Sequence, residues 1–429
     1  MTNADWISAS LGAARPQAMA ALLRAFRDLD RAEEAFQEAC LRALKTWPKN
    51  GPPRDAAAWL VMVGRNAGID VVRKTSRERP LPQEELISDL SDVEGDAVDR
   101  VDEADYRDDI LRLLFVCCHP DLPSTQQIAL ALRIVSGLSV KQIARAFLVS
   151  EAAMEQRITR AKAKVAAAHV PFETPGAVER AERVAAVAAM VYLVFNEGYT
   201  TGTTSGRVEH GASGLIVAEH GARAPLAEEA IRLGRLLLRL FPNEPEIMGL
   251  TALMLLQHAR APARFDCDGA AVLLENQERS LWDRRMMAEG LALVDKAIRH
   301  RRPGPYQVQA AIAALHGRAQ SFEDTDWAQI DQLYATLELL QPSPVVTLNR
   351  AVAVSKARGA ADALAMIEPL AAKLGSYFYF HGARGAFLLE LGRNEEARVA
   401  FDRAIALANT PAEAAHIRSQ IERLAGGGG

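Results

Sequence analysis

The stretch SVKQIARAFLVSEAAMEQRITRAKAKV, residues 139–165, carries two short amphipathic patterns separated by a few residues. Ser139 followed three positions later by Gln142 is a capping-box pattern, and Ile143, Ala144 and Phe147 form an apolar stripe at helical spacing behind it. A first helix is therefore predicted. A turn through Leu148 and Val149 follows, Ser150 is placed to cap again, and Met154, Ile158, Ala161 and Val165 recur at i, i+4, i+7 and i+11. The second helix should bury that stripe. Its opposite side carries Ala152, Gln156, Thr159 and Arg160, with Arg157, Lys162 and Lys164 nearer the flanks. Such a face suits a major groove, because a central Gln or Arg can meet a base edge while flanking cations meet phosphates. Taken alone, the pattern equally fits an ordinary solvated helical hairpin.

Charge is segregated around this stretch. Residues 133–170 hold 7 Lys/Arg against 2 Asp/Glu, residues 81–109 hold 2 against 12, and residues 1–80 hold 13 against 9. Two basic blocks thus flank an acidic tether, although the whole chain has a formal net charge of -4. A modest total does not argue against nucleic acid when positive charge is local. The tether, PLPQEELISDLSDVEGDAVDRVDEAD, combines many acids with two early prolines and reads as a flexible linker.

The first basic block is helical in pattern. DRAEEAFQEACLRALKTW (30–47) places Ala32, Ala35, Phe36, Ala39, Cys40, Ala43 and Leu44 on one face, with Glu33, Glu34, Gln37 and Glu38 on others. AAAWLVMVGRNAGIDVVRK (56–74) then combines Trp59, Leu60, Val63, Ile69 and Val72 with Arg65, Asn66, Arg73 and Lys74. An aromatic and apolar core edged by cations is what capture of single-stranded DNA needs, since bases stack and phosphates pair. Trp59 on its own also fits a plain core residue.

With 429 residues, of which 49% are hydrophobic, the chain has material for roughly two to four globular domains. Its most apolar run, VAAVAAMVYLVF (184–195), falls short of the ~20 residues that span a bilayer. No basic-then-apolar signal peptide is recognisable, so a cytoplasmic protein without membrane partners is expected. Cys40, Cys117, Cys118 and Cys267 form no CxxC pair and are expected to be reduced thiols.

The acidic AEEAFQEA, the block WLVMVGRNAGIDVVRK, a linker and a helix-turn-helix ending RITRAKAKV resemble, in order and spacing, regions two and four of an extracytoplasmic-function sigma factor of the sigma-70 family. Further along, VPFETP, VYLVFNEGY, EEAIRLGRLL, GPYQVQAAIAALH, DTDWAQIDQLY and PSPVVTLNRAVAV resemble the subgroup whose sigma domains carry a long C-terminal extension with tetratricopeptide-like repeats. The resemblance implies an all-α protein: region 2 at 1–80, an acidic linker at 81–106, region 4 at 107–170, a helical extension at 171–340 and repeats at 341–429. It also implies a binding subunit without catalysis or cofactor, whose partners are core RNA polymerase, through the clamp helices of the largest subunit and the flap of the second-largest, and promoter DNA. Asp30, Glu33, Glu34 and Gln37 would dock on the clamp helices. Trp59, Arg65, Asn66, Arg73 and Lys74 would hold the opened -10 element. Ala152, Glu155, Gln156, Arg157, Thr159, Arg160, Lys162 and Lys164 would read the -35 element. Glu155 departs from the basic or small residue common there, which suits base choice, such as accepting from a cytosine amino group, or no contact at all.

The extension also speaks through its own spacing. LNRAVAVSKARGAADALAMIEPL and GARGAFLLELGRNEEARVAFDRAI align at a shift of 34, with Asn349 on Ala383, Ala351 on Gly385, Ala363 on Ala397 and Ile367 on Phe401. That is the tetratricopeptide period, and such an array offers a surface for a protein or peptide partner or for the sigma domains themselves. Only a break at Pro171 to Gly176 separates the second basic block from a strongly apolar helix expected to begin near Ala177.

Several tempting sites read as structural. CCHP (117–120) has no second ligand pair, which argues against a metal. NEGY (196–199) reads as a helix C-terminus and turn at Gly198. GTTSGRVEHGASGLIVAEHGA (202–222) matches neither GxGxxG nor a Walker pattern and reads as a loop. No Ser/His/Asp or paired-carboxylate arrangement supports an enzyme. The principal competing reading is a repeat-containing activator that binds duplex DNA unaided, for which the first basic block has no use.

Overall fold

The computed structural model describes residues 3–51, 53–76, 103–147, 149–167, 177–200, 224–265 and 272–408, together with 414, 417, 418 and 421. Among these every regular element is helical, and the chain divides into two compact units, Met1–Val194 and Phe195–Gly429. No helix among the described residues is long and apolar enough to cross a membrane.

The first unit opens with α1 (Asn3–Phe26), α2 (Leu29–Asn50) and α3 (Ala56–Ser76), which pack on one another. Asp28 caps α2 by accepting from the Arg31 amide, and Ala32, Ala35, Phe36, Ala39, Ala43 and Trp47 form its buried stripe. Leu44, predicted to join that stripe, is 52% exposed. The stripe advances by four from Ala43 to Trp47, so Leu44 is rotated about 100° away from it. Trp47 stacks on Trp6 with 6.1 Å between centroids and meets the edge of Trp59 at 5.3 Å.

After residues 77–102, which lie outside the described set together with most of the predicted linker, α4 (Glu103–Cys117) packs against α1. The helix thus starts inside the segment 81–106 predicted as linker, since acidic residues such as Glu103 and Asp105 favour a helix start. Then follow α5 (Ser124–Ile134), α6 (Val140–Ala146) and α7 (Glu151–Ala167). The Ser139 and Gln142 capping box is formed in full, and Ser150 caps α7 through the Ala153 amide. Met154, Ile158, Ala161 and Val165 are buried as predicted. Cys117 and Cys118 are buried free thiols, and burial pushes Cys118 up to about 12 and Cys117 well above its ordinary value. Both are therefore protonated core residues at neutral pH.

Helix α8 (Ala177–Thr200) begins where the sequence predicted but runs on through Asn196 to Tyr199, so NEGY is helix and not a turn. Phe195 and Tyr199 explain the difference: one helical turn apart, their rings stack at 5.2 Å, and Arg264 lies 3.7 Å from the Tyr199 centroid. Those contacts outweigh the modest helix cost of Gly198. The predicted loop at 202–222 lies outside the described residues.

In the second unit, α9 (Ala224–Leu240), α11 (Arg284–Ile298) and α12 (Pro305–Arg318) surround α10 (Pro245–His258). An unbroken run from Ile247 to Leu256 is buried, which is what a helix apolar on all sides requires. Gly249 lets α12 approach, since a Cβ there would sit 2.5 Å from the Gln307 amide nitrogen. Glu246 accepts from the Tyr306 and Gln307 amides, capping α12 from a neighbouring helix. Next come α13 (Trp327–Leu340), α14 (Pro344–Arg358), α15 (Ala360–Ile367), α16 (Ala371–Leu374), α17 (Phe378–Glu390) and α18 (Asn394–Leu407). Helices α14 and α17 begin 34 residues apart, at Pro344 and Phe378, and so do α15 and α18, at Ala360 and Asn394. Ala351, Ala363, Ile367, Ala397 and Phe401, five of the aligned positions, share one core. A Cβ on Gly385 would lie 2.5 Å from the Phe401 ring, so the larger Phe401 is matched by the absence of a side chain opposite, where the first pair carries Ala351 and Ile367.

His316, at the end of α12, is held neutral: burial first, then the charges of Arg260 and Arg279, lower its pKa from 6.5 to about 4. A basic group whose pKa falls on folding takes up protons only when the chain unfolds, so stability is lost as pH drops from about 6.5 towards 4. We expect about 2–3 kcal/mol of the extension's stability to disappear across that window in denaturant unfolding, and His316→Gln to remove this part of the pH dependence.

Candidate nucleic-acid interface

Helix α7 has two faces of different chemistry. With Met154, Ile158, Ala161 and Val165 inside, Ala152, Glu155, Gln156, Thr159 and Arg160 are exposed along the other side, and Arg157 is half-buried at its edge. A helix anchored by a capped turn and presenting Gln, Thr and Arg outward offers hydrogen-bonding groups of the kinds that base edges accept. Lys164 donates to the Asp121 carbonyl at 3.0 Å. Lys162 faces α2, on the flank of α7 that also carries Glu155 and Thr159. Its ammonium donates to Asp30 at 2.6 Å and to Glu33 at 2.8 Å, on helix α2. Burial alone would lower the Lys162 pKa, but the two carboxylate bonds outweigh it and the pKa is raised.

The four acidic and polar residues predicted as a docking set on α2 are thereby divided. Glu34 and Gln37 are exposed, whereas Glu33 is only 5% exposed and is gripped by Arg133 at 2.6 Å as well as by Lys162. Glu33 was predicted outside the apolar face of α2. It is buried because α7 and the end of α5 cover that side of the helix. Between α2 and α7 remains a cleft of about 340 Å³ lined by Asp30, Glu33, Arg133, Glu155, Thr159 and Lys162, among others.

A second bolt lies beside it. Arg15 of α1 donates from Nε to the Ile134 carbonyl at 2.9 Å and from an Nη to the Arg133 carbonyl at 3.1 Å, capping the C-terminus of α5, and its guanidinium lies 4.7 Å from the Phe36 centroid. Gly137, at φ 75°, belongs to the same junction: a Cβ there would meet the Arg15 side chain at 2.7 Å. Arg24 reaches the buried Asp109 at 3.1 Å. In the first basic block, Arg65 and Asn66 are exposed on α3, and Trp59 is half-buried in the tryptophan cluster, so the structure gives Trp59 a packing role. Arg73 and Lys74 lie on α3, but their side chains fall outside the described residues. Among the described residues no cluster of His, Cys, Asp or Glu could hold a metal.

Residues 12–78 match the family described as Sigma-70 region 2, residues 112–165 the family described as Sigma-70, region 4, and residues 183–298 a family of unknown function (DUF6596). The chain is 68% identical over 425 residues to an uncharacterized protein of Rhizobium meliloti (strain 1021), covering 99% of this chain and 97% of that one. It is also 27% identical over 165 residues to a probable ECF RNA polymerase sigma factor, SigI, of Mycobacterium tuberculosis in two strains, a stretch that spans 38% of this chain and 56% of that protein. No solved structure matches the chain.

Two variants separate burial from surface chemistry. Lys162→Ala leaves Glu33 with Arg133 alone and should cost about 1–3 kcal/mol in denaturant unfolding, while Lys164→Ala should stay within about 0.5 kcal/mol. Met154→Asp, which puts a charge into the core under α7, should unfold that region outright, read as loss of amide-exchange protection in α5 to α7.

Proposed function

Because the chain belongs to the extracytoplasmic-function class of the sigma-70 family and continues into a C-terminal extension, we propose that it acts by docking α2 on core RNA polymerase and reading promoter DNA with α3 and α7. Members of this family are DNA-binding transcription initiation factors rather than enzymes, and their domains imply core polymerase and promoter DNA as partners. The observation that carries the reading is α7 itself: a fully buried stripe on one side, and on the other an exposed row of Ala152, Glu155, Gln156, Thr159 and Arg160. Gln156 and Arg160 are placed at the centre of that row to meet base edges, with Arg157 and Lys164 for phosphates. Arg65, Asn66, Arg73 and Lys74 on α3 supply the cations and amide for the opened -10 strand, and Asp30, Glu33, Glu34 and Gln37 the contacts to the clamp helices.

The free chain is closed in this reading. Lys162, counted among the groups for DNA, is spent on Asp30 and Glu33, which are counted among the groups for polymerase. Neither surface is complete until the other lets go, so polymerase and promoter displace the same contact. The extension, whose helices α14, α15, α17 and α18 we read as two tetratricopeptide-like repeats, acts as a positive element for initiation.

Run-off transcription with core polymerase and the chain's own upstream DNA tests this directly. The full chain should start transcripts that core alone does not, and a chain ending after Leu340 should lose that activity. Gln156→Ala and Arg160→Ala should each cost about 1–3 kcal/mol of discrimination between promoter and altered -35 sequence, whereas Lys164→Ala should weaken all sequences alike. Tight sequence-specific binding by the free chain at physiological salt, without transcription by the polymerase complex, would overturn the proposal in favour of an unaided activator.

A further inference from the structure

Among the described residues of the second unit, several arginines are neutralised by carboxylates in direct ion pairs. Arg235 meets Glu289 at 2.6 Å, Arg350 reaches Asp331 and Glu338 at 2.7 Å each, and Arg358 reaches Asp331 at 2.9 Å. The arm joining α10 to α11 differs. Arg260 donates to Gln277 Oε1, Arg264 to the Tyr199 carbonyl, and Arg279 to the His316 and Ala319 carbonyls, all neutral acceptors. No described carboxylate forms an ion pair with any of the three, although the charges of Asp324 and Glu323 act on Arg279 from beyond ion-pair distance.

The three guanidiniums are packed together on aromatic rings. Arg279 lies 4.8 Å and Arg260 5.6 Å from the centroid of Trp282, so two cations share one indole, and Arg264 lies 3.7 Å from the centroid of Tyr199. Burial lowers the pKa of Arg260, and the neighbouring Arg264 and Arg279 lower it further. Burial, and then the charges of Arg260 and Arg279, press His316 towards neutrality. Three buried nitrogens beside them have no partner: Nε1 of Trp282, an Nη of Arg279 and Nδ1 of His316. Trp282 is only 6% exposed, so its N–H is not turned to solvent.

Cations that repel one another out of water, next to donors with nothing to donate to, are costly unless a negative group completes them. Guanidinium forks and an indole N–H together offer donors only, in the planar, paired geometry that suits two oxygens of one anion. We propose that Arg260, Arg264 and Arg279, with Trp282 Nε1 and the ring of His316, form a binding site for a small oxyanion bearing a phosphate or carboxylate group. The arginines already tie the arm to α8 through the Tyr199 carbonyl and to α12 through the His316 and Ala319 carbonyls, and a ligand held between them would brace those three parts of the extension. This site is independent of how the first unit meets polymerase or DNA.

The test uses the full chain in chloride buffer, titrated at constant ionic strength with sodium phosphate in one arm and sodium succinate in the other. Binding of one anion per chain should raise the unfolding midpoint of the extension saturably, by about 5–10 °C near 100-fold saturation. The arm that responds identifies phosphate or carboxylate as the ligand group. Arg260→Gln should weaken the response at least tenfold, and Arg264→Gln carries the same expectation should that variant fail to fold. Lack of a saturable shift with either anion, or a shift of equal size in the folded variant, overturns the proposal.

Discussion

A carboxylate at 5% exposure needs partners, and Glu33 has two: Arg133 at the end of α5 and Lys162 on α7. Around that point the first unit is assembled. Arg15 ties α1 to the carbonyls that end α5, Arg24 reaches Asp109 on α4, and the aromatic face of Phe36 supports the Arg15 guanidinium. Ion pairs of this kind add little net stability compared with apolar packing but are costly to break one partner at a time. They therefore specify one arrangement of α2 against α7 while leaving it open to a competitor that supplies both partners anew, the part that the proposed function gives to polymerase and DNA phosphate together.

The same logic distinguishes the two units. In the second, the apolar helix α10 and the core shared by α14, α15, α17 and α18 supply the cohesion, and charge is added as paired decoration between neighbouring helices, as with Arg350, Asp331 and Glu338. Against that background the arginines of the arm between α10 and α11 stand apart, because among the described residues they donate to Gln277 and to backbone carbonyls and form no ion pair with a carboxylate.

What could be read in the sequence follows from what periodicity encodes. The stripe Met154, Ile158, Ala161 and Val165, the Ser139 and Gln142 box and the shift of 34 between Ala360 and Asn394 are local or repeated signals, and the structure contains each of them. Glu33 was misplaced because its burial is decided by a helix more than a hundred residues away, which the α2 pattern cannot register. NEGY was read as a turn because Gly198 is a local signal, whereas the Tyr199 contacts that keep it helical come from Phe195 and the distant Arg264. Leu44 shows the limit of reading stripes by eye, one position being enough to turn a side chain to solvent. The arginine arm gives no signal in the sequence, since Arg279 lies apart from Arg260 and Arg264 along the chain and the three meet only through the fold.

In the proposed function, α2 and α7 hold each other in the free chain and part on polymerase. Spin labels at Lys45 on α2 and Ala153 on α7, both exposed and outside the proposed contact sets, report that separation. One narrow distance is expected in the free chain, replaced by a longer one when core RNA polymerase is added, and the same longer distance is expected for a Lys162→Glu chain without polymerase. An unchanged distance in a transcribing complex, or a free chain already as open as the complex, would contradict it.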